Sequence, residues 1–239
     1  MSRRPRLKTC LLIAFLTFFI ALGSVTADTL EDSIRARNFH EAMSRIQKQL
    51  PEATEEERQR LLLLLADCQV QLNQLQEAQE TLAHLDPRTS PARFFRIRGQ
   101  YQKHKGEESL ADRDFRQALK LSGSVEDKID ALCELTLLHA GTDKSERLWS
   151  QALEEASTAN IPPQSWTNIY RTRYEILIQT GQTQAALDFC RLMRRGLEKL
   201  SDKRGLVWAY LAEIDSLKRL NRFEDAENVW HRALAAAGE

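Results

Sequence analysis

"FRQALKLS" (Phe115–Ser122), preceded by Ala111, has two echoes in the chain: "WSQALEEA" from Trp149 and "WHRALAAA" from Trp230. Laying Ala111, Phe115 and Ala118 on Ser145, Trp149 and Ala152 takes a shift of 34 residues, and Ala226, Trp230 and Ala233 repeat the arrangement. Residues four and seven apart share one stripe of a helix. Small residues on either side of an aromatic let such a helix approach a neighbour closely while the ring fills the remaining gap. Weaker copies place Ala78, Leu82 and Leu85, then Ala185, Phe189 and Leu192, then Ala42 and Ile46 at the same sites. Counted from Ala42 to Ala226, the intervals are 36, 33, 34, 40 and 41 residues.

Composition agrees with a helical chain. Of 239 residues only nine are Gly and six Pro, and no Val/Ile/Thr-rich run alternates between apolar and polar. Strong helix formers dominate, which argues against a sheet-rich fold. Lys plus Arg (34) equals Asp plus Glu (34), so there is no overall basic field to attract nucleic acid, and none is expected as a partner.

The N-terminus has its own character. Arg3, Arg4, Arg6 and Lys8 precede the apolar stretch "TCLLIAFLTFFIALG", and Val25-x-Ala27 ends it with small residues before Asp28. This pattern describes a secretory signal peptide over residues 1–27, cut after Ala27. The alternative is an uncleaved membrane anchor, because residues 9–27 are all uncharged. Without residues 1–27 the chain has 30 basic against 34 acidic residues, so the expected mature protein is mildly acidic and exported, periplasmic if its host is a Gram-negative bacterium. Cys68, Cys133 and Cys190 remain in it, far apart and with no C-x-x-C, each inside an apolar helical pattern. They read as small buried hydrophobes rather than metal ligands or a redox pair.

A period near 34 built of paired helices, with this spelling, resembles the tetratricopeptide repeat family. "FFRIRGQYQKHKGEESLADRDFRQALKLS" carries the resemblance best, with Phe95, Gly99, Gly106, Ala111, Phe115 and Ala118 on family positions. The resemblance implies an all-α, right-handed superhelical solenoid of five to six antiparallel helix pairs over residues 28–239. The units fall at about 29–50, 58–86, 92–122, 126–157, 163–199 and 204–238. Gly106, Gly141, Gly181 and Asn221 sit where the first helix of a pair must stop and the chain reverse.

No G-x-S-x-G, H-E-x-x-H, phosphate-binding glycine loop or dinucleotide fingerprint occurs, and His40, His84, His104, His139 and His231 are isolated in sequence. No enzyme activity, cofactor or metal is expected. The family resemblance implies that the first helix of each pair lines a concave groove. The third unit would present Arg93, Arg96, Gln100 and Lys103 there, the fourth Asp127, Asp130, Glu134 and Leu137, and the fifth Asn168, Arg171 and Glu175. A basic patch beside an acidic one points to a polar or charged protein or peptide partner, with arginine able to grip a carboxylate through two parallel hydrogen bonds. The expectation is a protein–protein interaction scaffold acting in assembly of an envelope complex; the alternatives are a membrane-anchored assembly factor and a ligand-binding or enzymatic helical domain. Reversing Arg93 and Arg96 to Glu is expected to leave helicity intact and to weaken partner binding.

Overall fold

The computed structural model describes residues 30–35 and 38–238; the expected signal peptide lies outside them. All the described secondary structure is helical, and apart from a 3-10 turn at Leu50–Glu52 it falls into six successive pairs. These are α1 (Leu30–Arg35) with α2 (Phe39–Gln49), α3 (Glu55–Gln71) with α4 (Leu75–Ala83), α5 (Pro91–His104) with α6 (Glu108–Lys120), α7 (Val125–Leu138) with α8 (Asp143–Thr158), α9 (Pro163–Gln179) with α10 (Thr183–Lys199), and α11 (Lys203–Arg219) with α12 (Phe223–Gly238).

Local chemistry places the ends. Thr54, Ser124 and Thr142 cap α3, α7 and α8, each side-chain oxygen accepting from a backbone N–H three residues on. Glu55–Glu57 and then Glu126 and Asp127 add negative charge to the first turns of α3 and α7, where the helix dipole favours it. Within four of the pairs the turn is the same device. Asn73, Gly106, Gly181 and Asn221 are left-handed, with φ of 58°, 78°, 73° and 57°. The next residue's N–H donates back to the carbonyl of Gln69, Gln102, Leu177 or Leu217 at 2.8–2.9 Å. The fourth pair departs from this: Gly141, at φ 81°, comes one residue later, and Thr142 follows it directly as the cap of α8.

The stripe that spells the repeat is the core. Ala111, Phe115 and Ala118 are fully enclosed, as are Ala42, Ile46, Ala78 and Ala152, and Ser145 replaces Ala by donating its hydroxyl to the Thr136 carbonyl at 2.9 Å. Trp149 is only half-buried, its ring covered by the Arg173 guanidinium at 4.9 Å. In the fifth pair the expected register is off by one. Ala185 is exposed and Leu192 is 60% exposed, whereas Ala186, Cys190 and Met193 carry the buried stripe. Both helices of that pair run 17 residues, against 14 and 13 in the third, which accounts for the stretched interval.

Layering follows from which helices touch. The first helices of successive pairs pack on one another, α3 on α5, α5 on α7, α7 on α9 and α9 on α11, and among the described residues the second helices show no comparable packing. In a curved stack the more closely spaced layer is the concave one, so the first helices form the inner wall and the second helices the outer wall of a solenoid.

Candidate functional site

The inner wall carries a polar seam, and its members pair across units. Arg93 Nε on α5 lies 3.5 Å from Asp127 Oδ1 on α7, and Gln100 Nε2 donates to Glu134 Oε1 at 2.6 Å. Lys103 Nζ reaches Glu134 Oε2 at 3.4 Å, and Arg96 turns the other way to Asp67 Oδ2 on α3, also at 3.4 Å. Asn168 Nδ2 on α9 donates to Asp130 Oδ1 at 2.8 Å, while Arg171 pairs with Glu175 one turn on at 3.2 Å. All eleven residues singled out from the sequence therefore lie on the first helices of three consecutive pairs. The expected basic and acidic patches do not stand side by side as free charge; they largely neutralise each other.

The electrostatics follow from that pairing. Burial pulls the Arg96 guanidinium down, but Asp67, Asp130 and Glu134 outweigh it and hold the group above its ordinary value. Burial also raises Asp130 and Glu134 of α7, and their neighbours then separate them. Glu134 is brought below the usual range by Lys103, the Gln100 hydrogen bond, Arg96 and Arg171. Asp130 stays above it, since Arg96 and Asn168 do not offset its burial beside Glu134 and Asp127. Arg96 is thus a structural member of the seam, and reversing it would set a fourth carboxylate among three. Sequence reading of the basic patch missed its partner Asp67, although Asp67 stands 33 residues before Gln100.

Two seam cations keep substantial access to solvent: the Arg93 side chain is 49% exposed and Lys103 33%. Arg93 also borders an open cleft of about 450 Å³ between the N-terminal ends of α3 and α5, floored by Leu63, Leu85 and Phe94 and lined by Arg60. Gln59 shapes it by accepting from the Asp86 N–H at 2.9 Å. Hydrogen bonds from Arg88 hold the Asp86 carboxyl at about 2. This wall can hold an extended polar segment by exchanging partners along the seam, and it can seat an apolar side chain in the cleft.

Elsewhere, Cys68, Cys133 and Cys190 are free thiols, all buried, and burial pushes each up to about 12. His139 is isolated only in sequence: its Nε2 sits 2.6 Å from Asp112 Oδ1, which also takes Lys144 and Arg116. Among the described residues, no group of three or more His, Cys, Asp or Glu is placed to hold a metal ion.

The fold and this inner wall define a helical-repeat solenoid with a paired polar face. Residues 33–101 match the family model described as Tetratricopeptide repeat, and the same succession of helix pairs continues beyond them to α12. Among solved structures, it resembles a Rap protein complexed with Competence and Sporulation Factor, at 16% identity over 91% of this chain and TM-score 0.54. It also resembles the apo form of RapI, at 15% identity over 87% of this chain and TM-score 0.55. The chain spans 65% and 63% of the lengths of those two, under two thirds of either. No curated protein matches it.

Proposed function

We propose that this chain is an exported, non-enzymatic scaffold that holds a segment of a partner protein along its concave wall and serves the assembly of an envelope complex. The observation that carries the reading is the continuous polar seam from Asp67 to Glu175, with Arg93 and Lys103 reaching solvent above it. Such a wall favours a polar or charged segment, because each contact it offers a ligand is one it already makes with itself and can exchange at small net cost. That a solenoid of this fold has been crystallised with Competence and Sporulation Factor supports a binding role. Export rests on the basic start, apolar core and Val25-x-Ala27 of the first 27 residues.

The test is affinity capture from native envelope extract with the C-terminally tagged chain, beside an Arg93→Glu, Lys103→Glu variant. Circular dichroism checks that the variant stays folded, because Lys103→Glu also takes the cation from Glu134. The expected result is a partner retained by the native chain and lost by the variant; equal retention overturns the groove reading. Intact mass of the exported protein checks the other half. Loss of residues 1–27 supports export with cleavage, and a retained N-terminus means an anchored protein.

A further inference from the structure

The polar seam holds the carboxylates Asp67, Asp127, Asp130, Glu134 and Glu175, and all but one of them have a cation. Asp67 pairs with Arg96 at 3.4 Å, Asp127 with Arg93 at 3.5 Å, Glu134 with Lys103 at 3.4 Å and Glu175 with Arg171 at 3.2 Å. Asp130 is the exception. Among the described residues its side chain takes a hydrogen bond from Asn168 alone, at 2.8 Å to Oδ1, which leaves Oδ2 unengaged. Arg96 acts on Asp130 through space but is turned to Asp67 on α3. The seam is therefore one positive charge short, and the shortfall falls on α7, the middle of the three first helices from α5 to α9.

Asp130 is half-buried, so its carboxylate is partly stripped of water and still open to the concave side. Burial, with Glu134 and Asp127 close by, lifts it above its ordinary range. An uncompensated charge of this kind costs stability, and natural chains keep such a cost where it serves a site. A second acceptor stands one turn along. Gln100, only 5% exposed, gives its Nε2 to Glu134 and leaves its Oε1 without a partner. Glu134 follows Asp130 by four residues on α7, so the unpartnered amide oxygen and the unpaired carboxylate belong to one stretch of the wall.

We propose that Asp130 receives a primary ammonium group, a lysine side chain or a free terminal amine, of the segment that lies along this wall, with Gln100 Oε1 as its second acceptor. This rests on the groove reading and names the chemistry that reading leaves open. An ammonium suits the place better than a guanidinium does. Asn168 already occupies Asp130 Oδ1, so the two-point grip of a guanidinium would compete with that bond. An ammonium is a compact charge that needs only Oδ2 and has further N–H donors, one of them for Gln100. Arg93, Arg96, Lys103 and Arg171 all keep their own partners, and the seam reaches charge balance with the ligand in place.

The experiment is selection of a random peptide library, displayed on phage with free peptide N-termini, against the native chain and Asp130→Asn. The native chain should enrich peptides that need one amine. In a synthetic copy, replacing the lysine by norleucine, or acetylating the N-terminus where the terminal amine is the ligand, should weaken binding about tenfold or more by fluorescence anisotropy. Asp130→Asn should weaken the parent peptide by a similar factor and leave the amine-free peptide unaffected. Its urea midpoint should not fall, whereas a residue with only a structural role would lower stability and show no such coupling to the amine. Enriched peptides that bind Asp130→Asn as well as the native chain, or that depend on a guanidinium instead, overturn this inference and leave the groove reading standing. A native chain that enriches no peptide overturns both.

Discussion

A Cβ built on Gly99 would lie 2.6 Å from two ring carbons of Phe115, a ring with no exposed surface. This contact is what the repeat spells: a missing side chain on α5 makes the space that an aromatic on α6 fills. Gly99→Ala should cost about 1–3 kcal/mol, the usual penalty of overpacking a tight core, read as a lower urea midpoint. Ala118 lies seven residues before the start of the next pair, at 1% exposure. Ala118→Glu buries an unpaired carboxylate there and should cost at least about 3 kcal/mol, enough to melt neighbouring units together, since each unit depends on its neighbours for its core. The thiols give a milder reading of the same interior. In a Cys10→Ser background, Cys68, Cys133 and Cys190 should stay silent to a thiol reagent until urea unfolds the chain. A thiol pushed up to about 12 is protonated at neutral pH and shielded as well. Rapid labelling of a native thiol would contradict that packing.

At the scale of the helix and its turn, Ser201 is informative. It is left-handed at φ 54° between α10 and α11, and the next N–H, that of Asp202, donates back to the Leu197 carbonyl at 3.2 Å. A serine pays steric strain there that glycine does not, so Ser201→Gly should raise stability by up to about 1 kcal/mol. Gly106→Ala, at φ 78°, should lower it by a similar amount. A stability loss in the first variant would mean that this turn is not left-handed. These positions also mark what the sequence disclosed. Gly106, Gly141, Gly181 and Asn221 were legible as helix stops because glycine and asparagine tolerate that conformation. Ser201 was not, because nothing about serine announces a positive φ. The slip in the fifth pair has a similar cause. "QAALDF" offers two adjacent alanines, and the repeat's preference for an aromatic favours pairing Ala185 with Phe189, while packing selects Ala186 with Cys190. The inner-wall charges were legible because they recur on the first helices. Their pairing was not, because partners lie 29 to 38 residues apart and depend on how one pair stacks on the next.

Across the whole molecule, that stacking makes the seam a pH-sensitive spine rather than a row of separate surface pairs. Glu134 and Asp130 of α7 respond to acid in opposite ways. Glu134 is lower in the folded chain than its ordinary 4.5, so it adds stability above that value and loses it as pH falls through the lowered one. Asp130 is higher than its ordinary 3.8, so its charged form subtracts stability at neutral pH, and the penalty fades as pH falls through the raised value. Glu134→Gln should therefore destabilise the protein at pH 7, by about 1–3 kcal/mol, because it strands Lys103 while keeping an acceptor for Gln100. Asp130→Asn should stabilise it at pH 7, by on the order of 1 kcal/mol, since the amide oxygen can still accept from Asn168 and two carboxylates still hold Arg96. Both differences should shrink toward zero in urea titrations carried out well below pH 4, where the native carboxylates are themselves protonated. If both substitutions moved stability in the same direction at pH 7, the seam would not divide the two groups as its geometry requires. Its charges would then act as an ordinary solvated face, with each cation balanced by water rather than by the next repeat.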